Sequence, residues 1–202
     1  MSDETRDIAG WRTSRRAECI AARLAVPAQE RARAAEAVAA TLDQLIGFEP
    51  DTLVSLYWPF NGELNLRGWM SAACELGLRI ALPVVVAKAT PLQFREWTPQ
   101  ARLEPGVWKI PVPVDGAIVE PDVVIAPLVG FDEAGYRLGH GGGFFDRTLA
   151  AMAERGQRPT AIGVGHSTGR LETIRPQAHD IPMHTIVTET GAFSGVRQRS
   201  PD

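Results

Sequence analysis

Residues 122–150 read DVVIAPLVGFDEAGYRLGHGGGFFDRTLA. The segment 122–131 is almost wholly apolar and of strand length, so it predicts a strand covered on both faces. The four residues after it, DEAG, have turn composition. Gly139, Gly141, Gly142 and Gly143 follow within five positions, and 143–154 reads as a helix. Glycines let the chain turn sharply and bring backbone N–H groups close to a ligand. The first turn of a helix leaves N–H groups unpaired and carries partial positive charge. Together these predict an anion site, most often one for phosphate, with Arg137 as an added charged donor.

Outward from this stretch the chain alternates. Helices are expected over 12–24, 28–46 and 64–76, the second carrying Ala34, Ala35, Val38, Leu42 and Leu45 at spacings of three and four behind Pro27. Strands are expected over 53–60, 79–86, 91–97, 160–166 and 185–190. Strands alternating with helices predict an α/β fold, an open and mainly parallel sheet with helices on both faces. In such sheets ligands bind outside the carboxyl ends of the strands, where the glycine loop falls. Neither familiar phosphate loop fits. Phe144 stands where a P-loop has its lysine, and also where the dinucleotide fingerprint needs a third glycine.

The 202 residues, 45% of them hydrophobic, suffice for one packed domain, expected over 11–194 between a flexible N-terminus (1–10) and a flexible tail (195–202). Cys19 and Cys74 are too few for a disulfide framework or a zinc site, and they read as thiols of a reducing compartment. His140, His166, His179 and His184 form no His-Glu-x-x-His pattern, which argues against zinc. No apolar run approaches the roughly 20 residues of a membrane span, and the acidic start is unlike a signal peptide, so a cytoplasmic protein without membrane partners is expected. Seven arginines against three acids over 6–33 make a basic segment, but the net charge of −3 gives no reason to expect nucleic acid. Arg12, Arg16 and Arg23 share one helical face with Cys19, either as a solvated basic face or as a ligand-facing one.

The stretch RLGHGGGFFDR (137–147) resembles the signature of the 5-formyltetrahydrofolate cyclo-ligase family. Other segments match that family in order: SRRAECIAARLAVPAQER (14–31), YWPFNGEL (57–64), WKIPVP (108–113) and HDIPMHTIVTE (179–189). The resemblance implies a three-layer fold of the NagB/RpiA/CoA-transferase type. It also implies ATP- and Mg²⁺-dependent conversion of 5-formyltetrahydrofolate to 5,10-methenyltetrahydrofolate, with small-molecule partners only and a monomer or weak homodimer.

Carried over residue by residue, the resemblance makes Arg137 and Asp146 the catalytic pair. It assigns ATP to Arg12, Arg16, Arg137, Gly139, His140, Gly141, Gly142, Gly143, Phe144, Phe145 and Asp146. The folate falls to Glu63, Trp108, Phe144 and Phe145, and Mg²⁺ to Asp146 and Asp180. The chain departs from the family where Phe144 and Phe145 replace tyrosines, Arg12 replaces a lysine, Val112 a Glu or Gln, and His184 an Asp. His140 fills a variable position. Arg12, Val112, Phe144, Phe145 and His184 are expected near the ligands. Two other readings stay open: a reduced-folate or nucleotide binding module without turnover, and an ATP-dependent enzyme for another formyl- or carboxyl-bearing substrate.

Overall fold

The computed structural model describes residues 3–195. Helices α1 (Asp3–Ala25) and α2 (Ala28–Ile46) are divided at Pro27, whose ring disfavours helical backbone at the residue before it. Then come β1 (Leu53–Ser55), α3 (Arg67–Glu75), β2 (Arg79–Val84) and β3 (Gln93–Trp97). A small hairpin, β4 (Leu103–Pro105) with β5 (Pro111–Pro113), precedes β6 (Ile118–Val119) and β7 (Val123–Pro127). A second hairpin, β8 (Gly130–Phe131) with β9 (Arg137–Leu138), leads through the glycines to α4 (Phe144–Glu154). The chain closes with β10 (Thr160–Val164), β11 (Thr185–Thr188) and β12 (Gly191–Ser194).

Eight strands form one sheet in the order β12-β11-β10-β7-β1-β2-β3-β6. The run from β11 to β2 is parallel, and β12, β3 and β6 add antiparallel edges. Side chains alternate across it as the pleat requires. Val54, Ile80, Leu82, Val123, Ile125 and Ile162 face the layer of α2 and α3. Leu53, Ala81, Val124, Ala126 and Ala161 face the opposite layer with Leu149 and Met152 of α4. That is the expected sheet between two helical layers. Both faces of β7 are covered, which explains its continuous apolar sequence.

From β1 the chain crosses through α3 to β2 on one side, while β7 pairs on the other side of β1. Strand order therefore reverses between β1 and β7, and a crevice opens at their carboxyl ends. Helix α1 packs against β8 and the short 3₁₀ turn Ser167–Gly169, at the same end of the molecule.

Several boundaries differ from the sequence reading. The ladder of β1 ends at Ser55, and residues 56–60 run on toward the crevice and Pro59. The apolar run 122–131 is two strands, because the chain leaves the sheet after Pro127 and pairs again in the β8–β9 hairpin. Helix α1 takes in residues 3–10, which were expected to precede the domain as a flexible segment. Of the expected tail, residues 196–202 lie outside the described residues.

Candidate active site

The loop between β9 and α4 is an open cradle. Gly141 has φ +99°, a region other residues rarely adopt. A Cβ on Gly142 would lie 2.5 Å from the ring of Phe144, so a side chain there would require that ring to move. Gly143 caps α4 without any side-chain hydrogen bond, which leaves the first amides of the helix for a ligand. Beside them Arg137 and Asp146 pair in bidentate fashion, at 2.9 and 3.3 Å. The backbone N–H of Ile181 donates to the same carboxylate at 3.1 Å. The pair is nearly buried, at 4% and 13% side-chain exposure.

Helix α1 supplies the adjoining wall. Its basic face is not solvated: Arg12 and Arg23 are buried, and Cys19 is buried between them. Arg12 Nη2 donates to Asp180 Oδ1 at 3.0 Å, and Asp180 Oδ2 accepts from the Gln177 amide. Arg16 Nε donates to the Gly139 carbonyl at 2.9 Å. Burial, with the charge of Arg12 nearby, pulls the Arg16 pKa below its ordinary value. Nε of Arg12 and of Arg137 are buried without a partner among the described residues, donors left over for an anion.

The facing wall begins where β1 leaves the sheet. Asn61 and Gly62 both have positive φ, at 50° and 82°, and the Glu63 amide closes the turn on the Phe60 carbonyl. This is the backbone pattern that Asn-Gly favours. Glu63 Oε2 accepts from the Phe60 amide at 2.9 Å. Two donors from other elements hold the turn: Arg23 Nε on the Asn61 carbonyl, and His166 Nε2 on the Gly62 carbonyl. Desolvation lowers the Arg23 pKa, although Glu63 opposes this. Across the mouth, Trp108 meets Phe144 edge to face, with ring centroids 6.2 Å apart.

A single cleft brings together every residue that the sequence singled out for a ligand, from Arg12 and Arg16 through Glu63, Trp108 and residues 137 and 139–146 named above to Asp180. It contains fixed positive charge, free helix amides, three carboxylates and an aromatic wall, the parts required to hold a polyphosphate against an aromatic heterocycle.

The 5-formyltetrahydrofolate cyclo-ligase family model matches residues 8–189, nearly the whole chain. The chain belongs to this family. It is 37% identical over 141 residues to the 5-formyltetrahydrofolate cyclo-ligase of Escherichia coli K12, covering 67% of this chain and 76% of that one. The cyclo-ligase of Mycolicibacterium smegmatis is 32% identical over 152 residues, covering 71% and 77%. The solved 5,10-methenyltetrahydrofolate synthetase of Aquifex aeolicus superposes with a TM-score of 0.78 at 27% identity, over 95% of this chain and 96% of that one. The synthetase of Mycoplasma pneumoniae has the same fold, with a TM-score of 0.72 at 20% identity over 88% and 98%.

Against the cyclo-ligase signature, one expectation about the departures fails. His184 lies away from the cleft, where its Nδ1 accepts from the Ala161 amide at the foot of β10 and β11. His140, at a variable position but assigned to ATP, lies inside it. Arg12, Val112, Phe144 and Phe145 line the cleft as expected. Sequence reasoning passed over Trp58, Phe60 and His179, which also line it. Trp58 and Phe60 share the segment 57–64 with Glu63, so the signal lay in residues already quoted. Tyr57 lines the cleft too, but it donates its hydroxyl to the Leu64 carbonyl, and burial drives its pKa well up. It acts as a strut.

Proposed function

We propose that this protein uses ATP to close 5-formyltetrahydrofolate into 5,10-methenyltetrahydrofolate, releasing ADP and phosphate. The observation that carries the reading is one cleft in which a glycine loop and helix N-terminus, flanked by the Arg137–Asp146 pair, face a carboxylate and aromatic rings. The formyl oxygen attacks the terminal phosphorus and the bond to ADP breaks. The N10 nitrogen then adds to the formyl carbon, phosphate departs with the C–O electrons, and the N10 proton passes to solvent. No side-chain nucleophile is needed. The protein's work is to hold two ligands in line and to stabilise charge as it moves.

The amides of Gly143 to Asp146 and the guanidinium of Arg137 hold the phosphates, with Arg12 and Arg16 as a second cationic edge. Glu63 accepts from pterin N–H groups, and Trp108, Phe144 and Phe145 flank the ring system. Mg²⁺ suits the donor set. Among the described residues no three His, Cys, Asp or Glu converge, but Asp146 and Asp180 both line the cleft. This ion is commonly held by one or two carboxylates together with substrate phosphates. When bound it neutralises phosphate charge. Asp146 and Asp180 would hold it, and their arginine partners orient both carboxylates.

Among the described residues no helix is long and apolar enough to cross a membrane. Two unpaired cysteines fit the reducing cytoplasm, and a cleft complete within one chain fits a monomer or weak homodimer. The test mixes protein, Mg-ATP and 5-formyltetrahydrofolate and follows methenyl absorbance and ADP together. Both rise only when all three components are present. ADP without folate, or folate binding without product, overturns the proposal.

A further inference from the structure

His140 stands in the glycine loop, yet its side chain turns to the other wall. Its Nε2 lies 3.1 Å from Glu63 Oε1 and 3.4 Å from Arg23 Nη2. A carboxylate can only accept, so the shorter contact puts the proton on Nε2, donated to Glu63. Arg23, whose Nε donates to the Asn61 carbonyl, brings the charge of its Nη2 beside the pair. The ring of Phe60 meets the imidazole edge-on, with centroids 5.7 Å apart. With the Phe60 amide on Oε2, both Glu63 oxygens are held and the carboxylate is 6% exposed. On the loop side His140 follows Gly139, whose carbonyl is fixed by Arg16, and precedes Gly141 at φ +99°. The imidazole is the one side chain of the glycine loop bonded to the Asn61-Gly62-Glu63 turn among the described residues.

We propose that His140 is a positioning residue that ties Glu63 to the phosphate-binding loop, so that nucleotide in the loop strengthens folate binding on the opposite wall. This rests on the assignment of ATP and folate to the two walls. The loop amides turn toward a bound phosphate, and the Nε2–H bond carries that movement directly to Glu63, whereas the other route runs from Gly139 through Arg16 and helix α1 to Arg23 and the Asn61 carbonyl. Linkage makes the effect mutual: folate strengthens nucleotide binding by the same factor.

The test measures 5-formyltetrahydrofolate affinity with and without Mg²⁺ and a non-hydrolysable ATP analogue. Wild-type protein shows tightening of about 5-fold or more, the lower end for coupled sites. In His140→Ala the ratio falls to about 1. In His140→Gln, whose amide N–H reaches about as far as Nε2, most of the ratio returns. A ratio that survives in His140→Ala, or that Gln fails to restore, overturns the proposal. So does simple additivity of His140→Ala and Glu63→Gln in a double-mutant cycle.

Histidine ¹⁵N spectra, recorded well above the ordinary imidazole pKa, test the link without any folate. They show the Nε2-protonated tautomer, shifted by the ATP analogue and altered in Glu63→Gln. An Nδ1-protonated ring, or one indifferent to nucleotide, overturns the link. A wild type that binds no folate but shows the tautomer and its nucleotide response defeats the folate assignment and leaves the link standing.

Discussion

On the glycine-loop side of the cleft, Asp146 is held by Arg137 and the Ile181 amide, and Asp180 by Arg12 and the Gln177 amide. On the far side of the mouth, Val107 and Trp108 are 43% and 53% exposed, and Trp108 and Lys109 both have positive φ. One wall is charge fixed by hydrogen bonds. The other includes a loop with strained backbone and uncovered apolar surface. The contrast fits the ligand proposed for each wall. Charge that moves during a reaction is stabilised only by groups already in place. A flat ring system is recognised by area, and a loop that closes over it excludes water.

Neutralising the fixed wall breaks the contrast most sharply. Asp146→Asn should lower kcat by about 10²- to 10³-fold, the scale for losing one preorganised electrostatic group. Thermal melts decide whether the variant is folded, and a folded variant with near-normal kcat sinks the assignment. Arg137→Ala belongs to the same wall and should weaken ATP while folate binding persists.

Glu63→Gln probes the opposite wall. Hydrogen bonds to a charged group are worth roughly 1.5–3 kcal/mol, so folate affinity should fall by about 10- to 150-fold. In the absence of folate, ATP affinity should change far less, and titration calorimetry with each ligand separately checks this. An ATP defect larger than the folate defect would show that the walls are reversed.

The support behind the Glu63 turn gives a smaller, pH-dependent effect. Burial holds the His166 imidazole below its ordinary pKa, although the Gly62 carbonyl that accepts its proton pulls the other way. A group with a depressed folded pKa binds protons more readily once unfolded. Stability is therefore full above the unfolded value, about 6.5, and is lost as pH falls from there toward the folded value. Urea midpoints between about pH 7 and pH 5 should decline, and His166→Gln, which keeps a donor for Gly62, should flatten part of the decline. An unchanged slope refutes this account.

The smallest effect belongs to the aromatic rings. Phe145 is partly buried with Arg137 5.6 Å from its ring centroid. Phe145→Tyr nearly conserves volume and should cost under about 1.5 kcal/mol, with the folate KM little changed. A variant that fails to fold would place that ring in the core instead of at the cleft.

The same contrast governs what was legible in the sequence. Phosphate recognition by backbone demands glycines, so Gly139 to Gly143 announced the loop, and the flanking Arg137 and Asp146 announced its charge. The alternation of apolar strands with amphipathic helices carried the layered sheet. The β4–β5 hairpin and the turn at Val107–Lys109 were not legible, because proline-rich strands of three residues have no periodicity to detect. Nor was the role of Arg23. On a helical wheel it is one more basic residue, and only the docking of α1 on β8 and the Ser167–Gly169 turn buries it. The bond from His140 to Glu63 was not legible either, because the two residues lie 77 positions apart.

The Arg12–Asp180 ion pair joins residues 168 positions apart, one in the first helix and the other just before β11. A chain leaving the ribosome exposes the arginines of α1 long before the carboxylate that meets them has been made. The cleft cannot be assembled in stages from the N-terminus, since its first and last contributors close the same wall. Contacts of such separation form late, after the entropy of closing the intervening loop has been overcome. Nucleotide binding during refolding should thus be a clock for completion of the whole chain, appearing with the docking of the last strands and not with the collapse of the first helices.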